Sequence, residues 1–217
     1  MARELEDVAT VAVVCVECQN GVLGPGAVLP ALAADNADLI GNLRRLLDAA
    51  RAVGVRVVHA TYEGSLGGTQ TGTARIWRTL EAATAGWAPG SPATQVIPEL
   101  LAPGDLVLAR HHGLFPTLDS ELLPVLTGLG VRTVVLAGVS LNLALPQTAG
   151  HITQFGFRLV VPRDAVGGTP ADYAEQVLDN SIALLGRITT IDGLIAEWSQ
   201  RESDRIEPRE QGQIGIR

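Results

Sequence analysis

Short runs of β-branched and apolar residues alternate with longer amphipathic segments along most of the chain. These runs lie at 11–16, 55–58, 106–109, 131–136, 157–162 and 187–190. Such alternation is typical of parallel strands joined by helical crossovers. The sequence therefore predicts an α/β domain with a six-stranded parallel sheet and helices on both faces.

The amphipathic segments carry helix start and stop signals. We predict helices over about 33–53, from Thr117 to Gly130, over 144–155 and 171–185, and from Asp192 to Trp198. The segment 61–92 is rich in Gly, Thr and Pro and contains Trp77 and Trp87. An irregular piece of this length is usually a lid or binding loop, although two tryptophans can also simply cover one end of a core.

Length and composition fit one globular domain and exclude several partners. The chain has 217 residues, of which 47% are hydrophobic and 18% are charged. A net charge of −7 argues against nucleic-acid or anionic-membrane binding, and no stretch has the ~20 apolar residues of a membrane span. The N-terminus lacks a signal-peptide pattern and the two cysteines form no disulfide framework, so we expect a cytoplasmic location.

Polar residues follow four of the predicted strands. Parallel α/β sheets bind ligands at the carboxyl ends of their strands, near the point where the strand order reverses. This rule nominates Glu17, His59, the Arg110–His112 cluster and the turn Ser140–Ala144. Because all four follow strands, we expect them at one edge of the sheet.

Four segments in order resemble the isochorismatase-like cysteine hydrolase family, which includes nicotinamidases, isochorismatases and related amidases. They are VCVECQN at 14–20, Phe115 with Thr117, AGVSLNLAL at 137–145 and FRLVVPRDA at 157–165. The resemblance covers about residues 8–198. It implies a Rossmann-like three-layer α/β/α sandwich over residues 1–199, followed by a C-terminal tail over 200–217.

The chain departs from this family at the three positions that carry its chemistry. The aspartate position holds Glu17, the lysine position falls by counting on Ala109 with Arg110 beside it, and the cysteine position holds Ala144. The chain contains no lysine at all. Since alanine cannot act as a nucleophile, we do not expect the covalent amidase mechanism of the cysteine members.

Two functions remain open for such a site. The first is a hydrolase or lyase of a small organic molecule with Glu17 as acid/base, assisted by Arg110, His111 or His112. Without a lysine neighbour, burial favours a protonated Glu17 that donates a proton; alternatively, Glu17 pairs with Arg110 or a histidine. The second is a non-catalytic pseudoenzyme that binds a small ligand or serves as a structural subunit.

Further residues are candidates for binding the small-molecule ligand. They are Gln19, His59, Trp77, Trp87, Phe115, Ser140 and Asn142. We expect no metal and no other cofactor, because no spaced His/Asp pattern converges on the site. His111 and His112 point to opposite sides, so one of them is expected to face the pocket, whereas Cys15 and Cys18 behave as small buried hydrophobes.

The resemblance also carries expectations about local geometry and assembly. It implies a cis peptide bond between Val139 and Ser140. It also implies a homodimer or homotetramer, in which we expect the tail to pack on a neighbouring subunit through its apolar residues Ile206, Ile214 and Ile216.

Overall fold

The structure is a computed structural model that describes residues 7–64, 66 and 72–206, with backbone alone for the last six. Its described part contains seven strands and nine α-helices. The strands are β1 (Val11–Val16), β2 (Arg56–Tyr62), β3 (Leu106–Arg110), β4 (Thr133–Val139), β5 (Arg158–Pro162), β6 (Val166–Gly167) and β7 (Arg187–Thr189). The helices are α1 (Asn20–Leu23), α2 (Pro30–Asp35), α3 (Leu39–Ala52), α4 (Trp77–Ala83), α5 (Leu122–Gly128), α6 (Ala144–Gln154), α7 (Ala171–Val177), α8 (Ala183–Leu185) and α9 (Ile191–Ile206).

All strand pairs in the sheet are parallel, so the predicted fold class is confirmed. The order is β3-β2-β1-β4-β5-β7, and the two-residue β6 pairs with the end of β4. The strand order therefore reverses beside β1, which lies between β2 and β4. In a doubly wound sheet this reversal opens a crevice at the carboxyl ends of the strands.

Strand β1 is buried on both faces because helices cover each side of the sheet. Its odd-numbered residues pack in a core layer with the buried stripe of α3, and its even-numbered residues pack with buried residues of α5 and α6. All six of its residues are buried, as expected for a central parallel strand. The stripe of α3 repeats at helical spacing, with buried Leu39, Leu43, Leu46, Leu47 and Ala50.

Two predicted helices have different bounds in the structure. The predicted helix over 33–53 is divided into α2 and α3, because the Asn36 side chain donates hydrogen bonds to the carbonyl oxygens of Leu32 (2.7 Å) and Gly168 (2.9 Å) and ends α2. Helix α5 begins at Leu122, not at Thr117. The Thr117 hydroxyl instead lies 2.5 Å from the Nδ1 atom of His151.

The segment predicted to be irregular contains regular structure. Strand β2 continues to Tyr62, and α4 spans Trp77–Ala83. Residues 65 and 67–71 lie outside the described part of this segment. Helix α9 runs to Ile206, beyond the predicted end at Trp198. Residues 207–217 also lie outside the described residues, so the packing of the tail on a neighbouring subunit stays a prediction.

Gly138 allows β1 and β4 to approach each other at the edge that holds the site. It has a φ of +98°, and a Cβ atom there would collide with the Val16 carbonyl oxygen and lie 2.9 Å from the Cys18 Sγ atom. Any residue other than glycine would be strained at this φ, and its side chain would have no space at this position.

We expect Gly138→Ala to lower the free energy of unfolding by about 2 kcal/mol or more, because it adds backbone strain and overpacking. Gly150→Ala is the matched control, since it lies inside α6 and a Cβ atom there meets nothing within 4 Å. The control should keep or raise stability, as alanine favours a helix. Urea unfolding of both variants checks the prediction, and equal stabilities would contradict it.

Candidate active site

The carboxyl ends of β1, β3 and β4 meet at one cavity. Glu17 follows β1, Arg110 ends β3, and Ser140 and Ala144 belong to the turn after β4. The remaining wall is mainly apolar and comes from the end of β2, from α1, α2 and α4, and from the adjoining loops. It consists of Val22, Val28, Leu29, Leu32, Tyr62, Ile76, Trp77, Leu80, Thr84, Trp87, Leu114 and Leu143.

Glu17 leaves the strand direction at the end of β1. Its φ is +54°, and its backbone N–H donates to the carbonyl oxygen of Ala60 at 2.9 Å. The next polar residue, Gln19, is fully buried. Its side-chain amide donates to the carbonyl oxygens of Tyr62 (2.8 Å) and Thr94 (2.7 Å) and accepts from the Tyr62 N–H (2.7 Å). Gln19 therefore ties β1 to β2 beside the cavity, and it does not line it.

At the end of β3, Arg110 lines the cavity and Ala109 does not. Ala109 is exposed, whereas Arg110 is only 5% exposed and lines the cavity. Successive residues of a strand face opposite sides of the sheet, so Ala109 and Arg110 point in opposite directions. The Nη2 atom of Arg110 donates to Glu17 Oε1, and its guanidinium lies 5.3 Å from the centre of the Tyr62 ring.

The turn after β4 presents the start of α6 to the cavity. The peptide bond between Val139 and Ser140 is cis, which confirms the expectation from the resemblance. The Ser140 carbonyl oxygen accepts from the N–H groups of Leu143 (3.3 Å) and Leu145 (3.1 Å). As a result Ser140 and Ala144 line the cavity.

Asn142 holds this turn against the loop after β6. Its side chain donates to the Thr169 carbonyl oxygen at 2.5 Å and accepts from the Thr169 N–H at 3.0 Å. The structure thus gives Asn142 a bracing position, and its side chain does not line the cavity.

The predicted tryptophan pair lies in the cavity wall. Trp77 and Trp87 pack around Tyr62, with ring centres 5.6 and 6.1 Å from the Tyr62 ring. Phe115 lies outside the lining and packs edge-on against His151, with ring centres 6.4 Å apart. Leu114 takes its place in the wall.

The structure does not bring the predicted histidines to the cavity. His111 lies 3.9 Å from the Glu63 carboxylate, and the His112 Nε2 atom lies 2.8 Å from the Asp119 carbonyl oxygen. His59 is buried within β2, where its Nε2 atom lies 3.1 Å from the Asp105 carboxylate.

Several wall residues were not identified from the sequence. The apolar residues of α1, α2 and α4 carry only the signal of ordinary core residues, since a cavity wall and a core use the same side chains. The described residues contain no group of three or more His, Cys, Asp or Glu side chains that would hold a metal ion. In the same part of the chain, no helix is long and apolar enough to cross a membrane.

Comparison with known proteins places this chain in a family. A family model of the isochorismatase domain matches residues 11–193. The chain belongs to the isochorismatase family. A cysteine hydrolase from Pseudomonas syringae pv. phaseolicola has the same fold, with a TM-score of 0.78 and 21% identity over 91% of this chain and 96% of that one.

Two sequence relatives in this family are amidohydrolases. A ureidoacrylate amidohydrolase from Rhizobium rhizogenes is 28% identical over 87% of this chain and 83% of that protein. A maleamate amidohydrolase from Pseudomonas putida is 35% identical over 42% of this chain and 44% of that protein. The chain spans less than half the length of two of the three curated relatives it matches.

Both cysteines of this isochorismatase-family protein are buried in the core layer under α3. The Cys18 thiol donates to the Val16 carbonyl oxygen at 3.5 Å. A hydrogen bond with Cys15 and burial together raise the pKa of the Cys18 thiol well above its usual value. A protonated, enclosed thiol is a poor nucleophile, which agrees with the sequence interpretation of this cysteine as a core residue.

Ala144 offers a direct test of access to the site. We expect Ala144→Cys to react with a thiol reagent in the native protein, because the new side chain faces the cavity at the start of a helix and near Arg110. The wild type should be unreactive. Ala149→Cys, on a fully buried position of the same helix, is the control and should also stay unreactive. Reactive wild-type protein under native conditions would contradict the assignment of Cys15 and Cys18.

The buried network around His59 predicts a pH-dependent stability. Burial lowers the pKa of His59 below its usual 6.5, although Asp105 partly opposes this. Burial alone would raise the pKa of Asp105, but hydrogen bonds from Arg51 and the Ala102 N–H outweigh it, and the net pKa is lowered. The folded state therefore favours neutral His59 beside ionised Asp105.

We expect the free energy of unfolding to decrease as the pH falls below about 6.5, because the unfolded chain takes up a proton at His59 before the folded chain does. His59→Gln retains a side-chain donor toward Asp105 without titrating, so it should lose less stability between pH 7.5 and 5.5. Urea unfolding at the two pH values measures this. His112→Gln, at a partly exposed position outside this network, is the control and should keep the wild-type dependence. An unchanged dependence in His59→Gln would contradict the prediction.

Proposed function

We propose that this protein is a hydrolase that acts on a small organic molecule without a cysteine nucleophile, with Glu17 as the acid/base group. The observation that carries the proposal is the pairing of Glu17 with Arg110 at a cavity that also contains Ala144. A carboxylate, a permanent cation and a helix start therefore surround the position where a substrate would lie.

The Arg110 contact favours a base over an acid as the initial role of Glu17. The sequence interpretation of Glu17 as a protonated donor assumed that no cation lies beside it. Arg110 supplies that cation, and its Nη2 atom donates a hydrogen bond to a Glu17 carboxylate oxygen. This arrangement supports abstraction of a proton from water better than donation of a proton to the substrate.

The proposed reaction is a direct attack of water on a carbonyl carbon. Glu17 takes a proton from the water molecule while the water oxygen forms a bond to the carbonyl carbon. Negative charge then develops on the carbonyl oxygen. The intermediate then collapses with cleavage of the bond to the leaving group, which receives the proton from Glu17. Arg110 orients Glu17, and the small Ala144 side chain leaves room for the attacking water.

The names of the two relatives indicate which kind of bond to test first as the one that is hydrolysed. Both are amidohydrolases, so a small amide is the substrate class that this proposal favours. The apolar and aromatic wall, with Trp77 and Trp87, suits the body of such a molecule.

A second candidate function is ligand binding without catalysis. It is favoured by the same two observations that separate this site from the cysteine members: no nucleophile stands at 144, and the Glu17 carboxylate is already bonded to Arg110. In this alternative the cavity holds its ligand unchanged, as in a pseudoenzyme.

An assay that measures product formation from a panel of small amides distinguishes the two candidate functions. We expect Glu17→Gln to reduce the turnover of any hydrolysed amide by about 100-fold or more, since the variant lacks the proton acceptor. Glu197→Gln is the matched control. It also removes a carboxylate that pairs with an arginine, Arg187 at 2.6 Å, and it lies outside the cavity.

The same assay tests the independence from cysteine. Treatment with a thiol-blocking reagent should leave wild-type turnover unchanged, because both thiols are buried. Full turnover in Glu17→Gln would reject Glu17 as acid/base. Absence of turnover for all amides that bind the protein would favour the ligand-binding alternative.

A further inference from the structure

The cavity contains two charged side chains, and they neutralise each other. Among its lining residues, Glu17 and Arg110 alone carry formal charge, and the Arg110 Nη2 atom donates to the Glu17 carboxylate. The other polar lining groups, such as Ser140 and Thr84, are uncharged. The cavity therefore has a fixed dipole but no net charge with which to meet an ion.

The ion pair of Arg110 and Glu17 is largely shielded from water. The side chain of Arg110 is 4% exposed and that of Glu17 is 20% exposed. A ligand that fills the cavity covers the remaining exposed part of Glu17. A charged ligand would then leave water without gaining an uncompensated opposite charge, which is costly.

One donor nitrogen of Arg110 has no hydrogen-bond partner among the described residues. The Nη1 atom of Arg110 is buried and makes no hydrogen bond to any described residue. The Nε atom is directed at the Gly113 carbonyl oxygen at 3.4 Å, and Nη2 is directed at Glu17. A buried donor without a partner is unfavourable. Arg110 lines the cavity, so a ligand acceptor atom that reaches its guanidinium would supply the missing partner.

We propose that the cavity selects uncharged small molecules in which a carbonyl-type oxygen accepts a hydrogen bond from Arg110 and an apolar or aromatic body lies against Trp77 and Trp87. Carboxylates of the same shape are rejected, because Glu17 already neutralises Arg110. This deepens the proposed function by naming its substrate class, and it rests on that proposal only for the place of the substrate.

Binding of matched probe pairs tests the selectivity directly. The probes are benzamide, cyclohexanecarboxamide and indole-3-carboxamide, each with its carboxylate, measured by calorimetry with wild-type protein at neutral pH. We expect at least one amide to bind about tenfold or more tightly than its carboxylate. Equal or tighter binding of the carboxylates, or no binding of any amide up to its solubility limit, overturns the proposal.

Glu17→Gln provides the decisive variant, because it removes the neutralising charge but keeps a side-chain oxygen as acceptor for Arg110. We expect the preference to reverse, with carboxylate binding increased about tenfold. Glu197→Gln changes the net charge of the protein by the same amount away from the cavity and should keep the wild-type preference. An unchanged preference in Glu17→Gln would show that the ion pair does not set the selectivity.

Arg110→Lys is a second variant that keeps a cation beside Glu17. A single ammonium group lacks the fixed planar fork of arginine, so amide binding should weaken about tenfold while the preference over carboxylates remains. Unweakened amide binding would exclude Arg110 as the donor. Amides that bind selectively but are not hydrolysed would reject the proposed function and leave the present proposal standing.

Discussion

The ion pair between Arg110 and Glu17 is the interaction on which the site depends. A buried guanidinium needs a partner, and removal of one member of such a pair costs far more than the net contribution of the pair. The pair also joins the ends of β1 and β3, two strands that are separated by β2 in the sheet. The same contact therefore links the ends of these strands and sets the charge balance of the cavity.

The sequence predicted the sheet well because its strands are buried on both faces. Continuous apolar runs such as that of β1 give a strong signal, and three of the segments that follow such runs contribute Glu17, Arg110 and Ser140 to one cavity. The placement of Glu17 and Ala144 at one cavity follows from parallel neighbours β1 and β4, whose register aligns Val16 with Gly138.

Other features depend on contacts that a linear pattern does not contain. Counting to Phe115 placed the expected lysine position on Ala109, whereas the direction in which β3 residues face brings Arg110 to the cavity. The break between α2 and α3 depends on Asn36 reaching Gly168, far along the chain. Gln19 and Asn142 looked like ligand-binding residues because polar side chains at strand ends have two uses, contacting a ligand or bracing loops, and the sequence does not separate them.

Arginine at position 110 also restricts how this site can be re-engineered. A guanidinium keeps its proton at all ordinary pH values, so it cannot relay protons as a lysine amine can. A thiol introduced at position 144 would be reactive, but the Arg110 guanidinium beside Glu17 would not transfer protons to or from it. Conversion to thiol-based turnover would therefore need a side chain that can exchange protons at position 110 as well as a thiol at position 144.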